Sequence, residues 1–201
     1  VNVAGEDSRQ LGTSDDAAIA RAWLDAVNSP VIKAELESIY AEVAREITSR
    51  GPSCWASGRC CNFAKTGHLL YVTGLEAAYT VARRNELERE VASDARGTRP
   101  PQPLPQLHPP QGALSLTQID AAKARGDCPF LERNLCGAHT IKPLGCRVYF
   151  CDASAQDWQH ELTERALERI RALHDRHGIS YRYGEWRAML AWVVSDEAMK
   201  R

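Results

Sequence analysis

The sequence predicts an all-α fold, a single domain of five or six helices around two cysteine-rich loops, with a proline-rich connector. Three observations lead there. Apolar residues recur every three or four positions through most of the chain, the period of a helix with one buried face. Glycine and proline interrupt those stripes where helices need stops and restarts. The seven cysteines fall in only two clusters, Cys54, Cys60 and Cys61 in GPSCWASGRCCNF, and Cys128, Cys136, Cys146 and Cys151 in CPFLERNLCGAHTIKPLGCRVYFC. At 201 residues the chain is long enough to bury one core, and the domain is expected to span 1–201.

The elements follow in order. Residues 1–13 are polar and expected to fray. Ser14 suits an N-cap, with Asp15 and Asp16 in the first turn, and Ile19, Trp23, Leu24 and Val27 form a first stripe. Pro30 restarts the pattern where its missing N–H does no harm. Ile32, Leu36, Ile39, Tyr40, Val43 and Ile47 make the second stripe, which Gly51-Pro52 ends. His68 to Val72 reads as a short extended run. Thr73-Gly74-Leu75-Glu76 is a capping box opening a third helix, whose face is Leu75, Ala78, Tyr79, Ala82, Leu87 and Val91. Arg83 and Arg84 are expected on its solvated flank.

Residues 97–113 contain RPPQPLPQLHPP, whose six prolines exclude both helix and interior strand, so an extended connector is expected. Ser115 and Thr117 start a fourth helix that Gly126 stops. After the second cysteine cluster, Trp158, Leu162, Ala166, Ile170 and Leu173 mark a strong amphipathic helix ended by Gly178. His174 and His177 in its last turn are expected to act as C-terminal cations rather than as ligands. A last helix, YGEWRAMLAWVV, is expected to bury Tyr183, Trp186, Met189, Leu190 and Val193.

Charge and cysteine usage narrow the function. The 25 basic and 26 acidic side chains leave a net charge of -1, which argues against nucleic acid or an anionic membrane as partner. No apolar run reaches the length of a membrane span. The chain begins at Val1, so it is expected to be trimmed, with any leader outside it. An odd number of cysteines, tightly clustered in a chain with its own core, favours metal ligation over disulfides or isolated buried thiols, and a reducing cytoplasm. A metal ion or cluster is therefore the expected partner, with a protein partner as a further option.

The spacing restricts the metal. No C-x2-C knuckle occurs, and adjacent Cys60 and Cys61 normally point apart, so one ligates while the other packs, or both serve a multi-metal cluster. One structural zinc leaves thiols over, whereas two zincs need eight ligands, which His139 would complete. An iron–sulfur cluster tolerates long, irregular spacings. Iron, as a 4Fe–4S cluster, is thus favoured slightly over zinc, and His139 reads as a packed or supporting side chain before it reads as a ligand.

The order C-x5-C-C, then T-x2-E, CPFL, a further cysteine, and Pro143-Leu144-Gly145-Cys146-Arg147 running to Cys151 resembles the YkgJ-type cysteine-cluster family. The resemblance covers Cys54 to Cys151, about half the chain. It implies a zinc- or iron-chelating domain, with a cluster similar to that of flagellin lysine methylases. The family's usual Arg before the proline is Lys142 here. The ligand role carries over to Cys60, Cys61, Cys128, Cys136 and Cys146, with Cys54 and Cys151 at the margins. The expected function is a metal-binding protein, acting as a structural, storage or interaction module. The alternative is an iron–sulfur redox or accessory protein for a modifying enzyme such as a methylase. A third reading, an enzyme itself with group transfer as in the methylases, stays open but has no recognisable catalytic motif behind it. There is no Gly-rich cofactor loop and no G-x-S-x-G, and His160-Glu161 lacks the second histidine of HExxH.

Overall fold

The computed structural model describes residues 14–52, 58–94, 113–150 and 155–199. Cys54, Cys151, nearly all of the proline-rich connector and residues 1–13 lie outside the described residues. The protein is mainly helical. Helices α1 (Ser14–Asn28) and α2 (Pro30–Arg50) are followed by a 3-10 turn at Arg59–Cys61 and the short α3 (Phe63–Thr66). Strand β1 (Tyr71–Thr73) leads into α4 (Gly74–Asp94), and α5 (Leu116–Arg125) precedes strands β2 (Leu131–Glu132) and β3 (Leu135–Cys136). The short α6 (Leu144–Val148), then α7 (Gln156–His177), β4 (Tyr183–Glu185) and α8 (Trp186–Met199) complete the order.

The helix ends are built from local chemistry. Pro30 opens α2 at its first turn, and Gly51 closes it in the left-handed conformation, its N–H donating to the Ile47 carbonyl. Ser115 caps α5 in a full capping box with Gln118. Helix α4 has the same device: Thr73 N donates to Glu76 Oε2 at 3.0 Å while Glu76 N donates to Thr73 Oγ1 at 3.3 Å.

Helix α1 packs on α4 and α8, and α2 packs on α7. Trp23, Leu36, Leu75, Ile170, Trp186 and Leu190 are all buried in one continuous apolar cluster. The outer edge of the α2–α7 pair carries Glu46–Arg165 at 2.7 Å and a Glu42–Arg169 pair, both partly exposed and so worth little individually. Strands β1 and β4 pair antiparallel, with Val72 opposite Gly184, and Trp186 N extends the ladder to Leu70 O at 2.8 Å.

Four expectations need correction. The last helix begins at Trp186, because Tyr183–Glu185 pair with β1; Tyr183 is 46% exposed instead of core. Arg84 is buried, not solvated, with its guanidinium 5.4 Å from the Phe130 ring centroid and its Nε donating to Glu88. His174 is fully buried, its Nδ1 3.2 Å from the Ile179 carbonyl, and burial lowers its pKa, so it is a neutral core residue and not a helix-end cation. Finally, Cys60, Cys61, Cys136 and Cys146 sit in short elements rather than bare loops, in the 3-10 turn, β3 and α6, while Cys128 lies in the irregular stretch between α5 and β2.

Candidate metal centre

The first cysteine segment turns at Gly58, which has a left-handed φ of 64°. A Cβ there would lie 2.4 Å from the Asn134 carbonyl oxygen, so only glycine lets this turn approach the β2–β3 hairpin. Asn62 then caps α3 by accepting from Lys65 N at 3.2 Å. The backbone joins this segment to the second one. Cys128 N donates to the Cys61 carbonyl, and Ala64 N donates to the Gly126 carbonyl, each at 2.8 Å.

The second segment folds back on itself. Strands β2 and β3 pair with Leu131 opposite Cys136, through a two-residue turn in which Arg133 and Asn134 both have positive φ, the twist a tight hairpin needs. Gly137 N closes onto the Phe130 carbonyl at 2.8 Å, and Ile141 N onto Ala138. Pro143 then stands at the start of α6, where its carbonyl accepts from both Cys146 N and Arg147 N at 3.1 Å.

A buried polar stripe on α4 holds this segment down. Glu76, Thr80 and Arg84 are spaced four apart, so they share one face of the helix, and all three are buried. Glu76 Oε1 accepts from Leu144 N at 2.8 Å and from the Tyr40 hydroxyl at 3.1 Å, while its Oε2 takes the amide and hydroxyl of Thr73. The Thr80 hydroxyl lies 3.1 Å from the Ile141 carbonyl. Arg147 covers the Tyr40 ring at 4.1 Å. Sequence reasoning recognised Glu76 only as a cap; the signal for its second role was the T-x2-E-x3-T-x3-R spacing, polar at every turn of one helical face.

These elements bring five predicted cysteines to one place. Cys61 and Cys128 are buried, Cys136 and Cys146 are half-buried, and Cys60 is exposed. Cys61 is the hub: hydrogen bonding to Cys128, Cys136 and Cys60 keeps its proton on, raising its pKa. The same Cys61 S–H lowers Cys60 to about 6 and Cys136 to about 7, against the opposing effect of burial, with Lys142 assisting at both. Cys146 is pushed up, chiefly by burial and then by Cys128, Cys136 and Cys60. Among the described residues no group of three or more His, Cys, Asp or Glu side chains is placed so that it could hold a metal ion. His139 is exposed, and burial and then the charges of Lys142 and Arg147 lower its pKa.

Cys61 is the member of the adjacent pair that meets Cys128 and Cys136, while Cys60 is exposed and hydrogen-bonds Cys61. Chemically the site is a group of thiols of differing acidity beside one lysine. Among the described residues no helix is long and apolar enough to cross a membrane. No family model, curated protein or solved structure matches the chain.

Proposed function

We propose that Cys60, Cys61, Cys128, Cys136 and Cys146 are the donors of a metal centre, and that the chain is a single-domain member of the YkgJ-type cysteine-cluster family working in the reducing cytoplasm. Cys54 and Cys151 join the set on sequence grounds alone. One observation carries the reading: thiols from three separate segments perturb one another, through a scaffold that spends buried hydrogen bonds on placing them. Soft sulfur donors with no knuckle spacing fit iron, as a 4Fe–4S cluster, slightly better than zinc. When bound, such a centre would supply either structural crosslinking or one-electron chemistry. The chain's own part is to lower the pKa of Cys60 and Cys136 below that of an ordinary thiol and to fix Cys146 through α6.

The exposure of Cys60 favours a second reading, an iron–sulfur redox or accessory protein, since a purely structural staple gains nothing from an exposed ligand. Anaerobic purification followed by metal and sulfide analysis and a visible spectrum tests both. Iron with about one sulfide per iron and a broad charge-transfer absorption is expected. Zinc without sulfide supports the metal centre and removes the redox alternative. A folded, metal-free protein that takes up neither ion under reducing conditions overturns the proposal.

A further inference from the structure

A groove of about 380 Å³ lies beside the thiols, with Cys60 and Cys146 in its wall. That volume is in the range of small-molecule sites. Two ring pairs line it. Tyr71 and Tyr183 are diagonal neighbours on β1 and β4, stacked with centroids 6.1 Å apart, and His68 stacks on Tyr149 at 4.9 Å. Tyr71 is 47% exposed and Tyr183 46%, so each leaves close to half of a large ring uncovered at the mouth. The opposite wall is the face of α7 formed by Gln156, Gln159, His160 and Thr163. These recur at the spacing of one helical stripe and carry two amides, an imidazole and a hydroxyl, whereas most of the exposed α7 surface is charged, with Glu161, Glu164, Arg165, Glu168 and Arg169. No Lys, Arg, Asp or Glu occurs among the described residues lining the groove.

We propose that this groove binds an uncharged heteroaromatic small molecule. Its plane would lie against the Tyr71–Tyr183 and His68–Tyr149 rings, and its polar edge would face the α7 amides and hydroxyl. The chemistry selects this class. Aromatic walls reward a flat ring. The hydrogen-bonding stripe gives orientation, and a phosphate or carboxylate would find no Lys or Arg among the described residues of the walls. The inference goes beyond the metal centre and stands on the groove's own geometry.

The probe is lumiflavin, a neutral flat heteroaromatic, titrated into the purified full chain by fluorescence quenching. Flavin mononucleotide, the same ring system with a phosphate, serves as comparison. Saturable lumiflavin binding is expected, at least tenfold tighter than the mononucleotide. The Tyr71→Ala/Tyr183→Ala double variant should weaken it at least fivefold. His160→Arg, an exposed position on α7, should narrow the gap between the two probes by adding a cation at the wall. Circular dichroism confirms the fold of each variant. No saturable binding up to the probe's solubility limit, equal or tighter binding of the phosphorylated probe, or unchanged affinity in both folded variants overturns the inference. Metal content measured on the same samples separates the two ideas: binding without metal leaves the groove standing and counts against the centre, and metal without binding does the reverse.

Discussion

At the scale of single residues, Glu76 connects the most structure. Its two oxygens accept four hydrogen bonds, from Thr73 N, Thr73 Oγ1, Tyr40 Oη and Leu144 N, in a fully buried position. Glutamine matches its size but must present an NH2 to one of these donor pairs. Glu76→Gln should therefore cost about 1–3 kcal/mol in denaturant unfolding, and Glu76→Ala more, because each orphaned buried donor adds its own desolvation penalty. A change within experimental error for Glu76→Ala would show that the α6 amide has another partner. Cys60 offers a reactivity test. With metal chelated and thiols reduced, its pKa of about 6 follows first from the Cys61 S–H and then, against burial, from Lys142. Thiolate is the form present above the pKa, so alkylation of Cys60 should rise through pH 6 and plateau by pH 7.5, ahead of an ordinary cysteine near 8.5. Mass spectrometry of the modified peptide reads this directly. A midpoint above pH 8 would mean that Cys61 does not donate to Cys60.

At the scale of elements, the junction between the 3-10 turn and the β2–β3 hairpin rests on Gly58. Its positive φ and the 2.4 Å approach a Cβ would make to Asn134 O combine in Gly58→Ala, and the carbonyl is backbone that cannot swing aside. The left-handed conformation alone costs about 1 kcal/mol for alanine, and the displaced hairpin adds to it. Thermal unfolding should fall by several degrees, while Gly51→Ala, which has open space around its Cβ, should show only the conformational part. Equal losses in the two variants would argue that the hairpin is not held by this approach. The elements also show what could be read in advance. The stops at Gly51, Gly126 and Gly178, the restart at Pro30 and the capping box at Thr73–Glu76 were legible because they depend on residues within a few positions of each other. Strand β4 was not: three residues are too few for a period, and their partner, β1, is over a hundred residues away. Arg84 was misread for the same reason: local rules put a charge in water, but Phe130 arrives from a distant segment to cover it. His174 instead is covered by the chain turning back after Gly178, which brings Ile179 and Tyr181 against it. The cysteines were legible as two clusters, yet the backbone contact of Cys61 with Cys128 joins segments far apart in sequence, which no local rule reveals.

At the scale of the whole molecule, the thiol centre is the place where the α2–α7 pair meets the α1–α4–α8 group. Helix α6 packs against α7, α2 and β1, and its Cys146 reaches the thiols contributed by the 3-10 turn and the segment after α5. A metal bound there would join segments that the backbone alone leaves far apart in sequence, so binding free energy becomes folding free energy. Cys146→Ser removes a donor from the middle of that junction and leaves the acidified thiols of Cys60 and Cys136 without the neutralising ion. We expect this variant to lose most of its metal and to melt well below the native protein. Cys54→Ser, six residues ahead of the doublet, should lose less of both. The decisive comparison is thermal unfolding of native and Cys146→Ser protein with and without chelator, under anaerobic reducing conditions. Chelation should lower the native midpoint toward that of the variant and leave the variant itself almost unmoved, since stability supplied by metal cannot be removed twice. If chelator shifts the two proteins equally, or if Cys54→Ser proves the more damaging substitution, Cys146 is not the donor on which the junction depends.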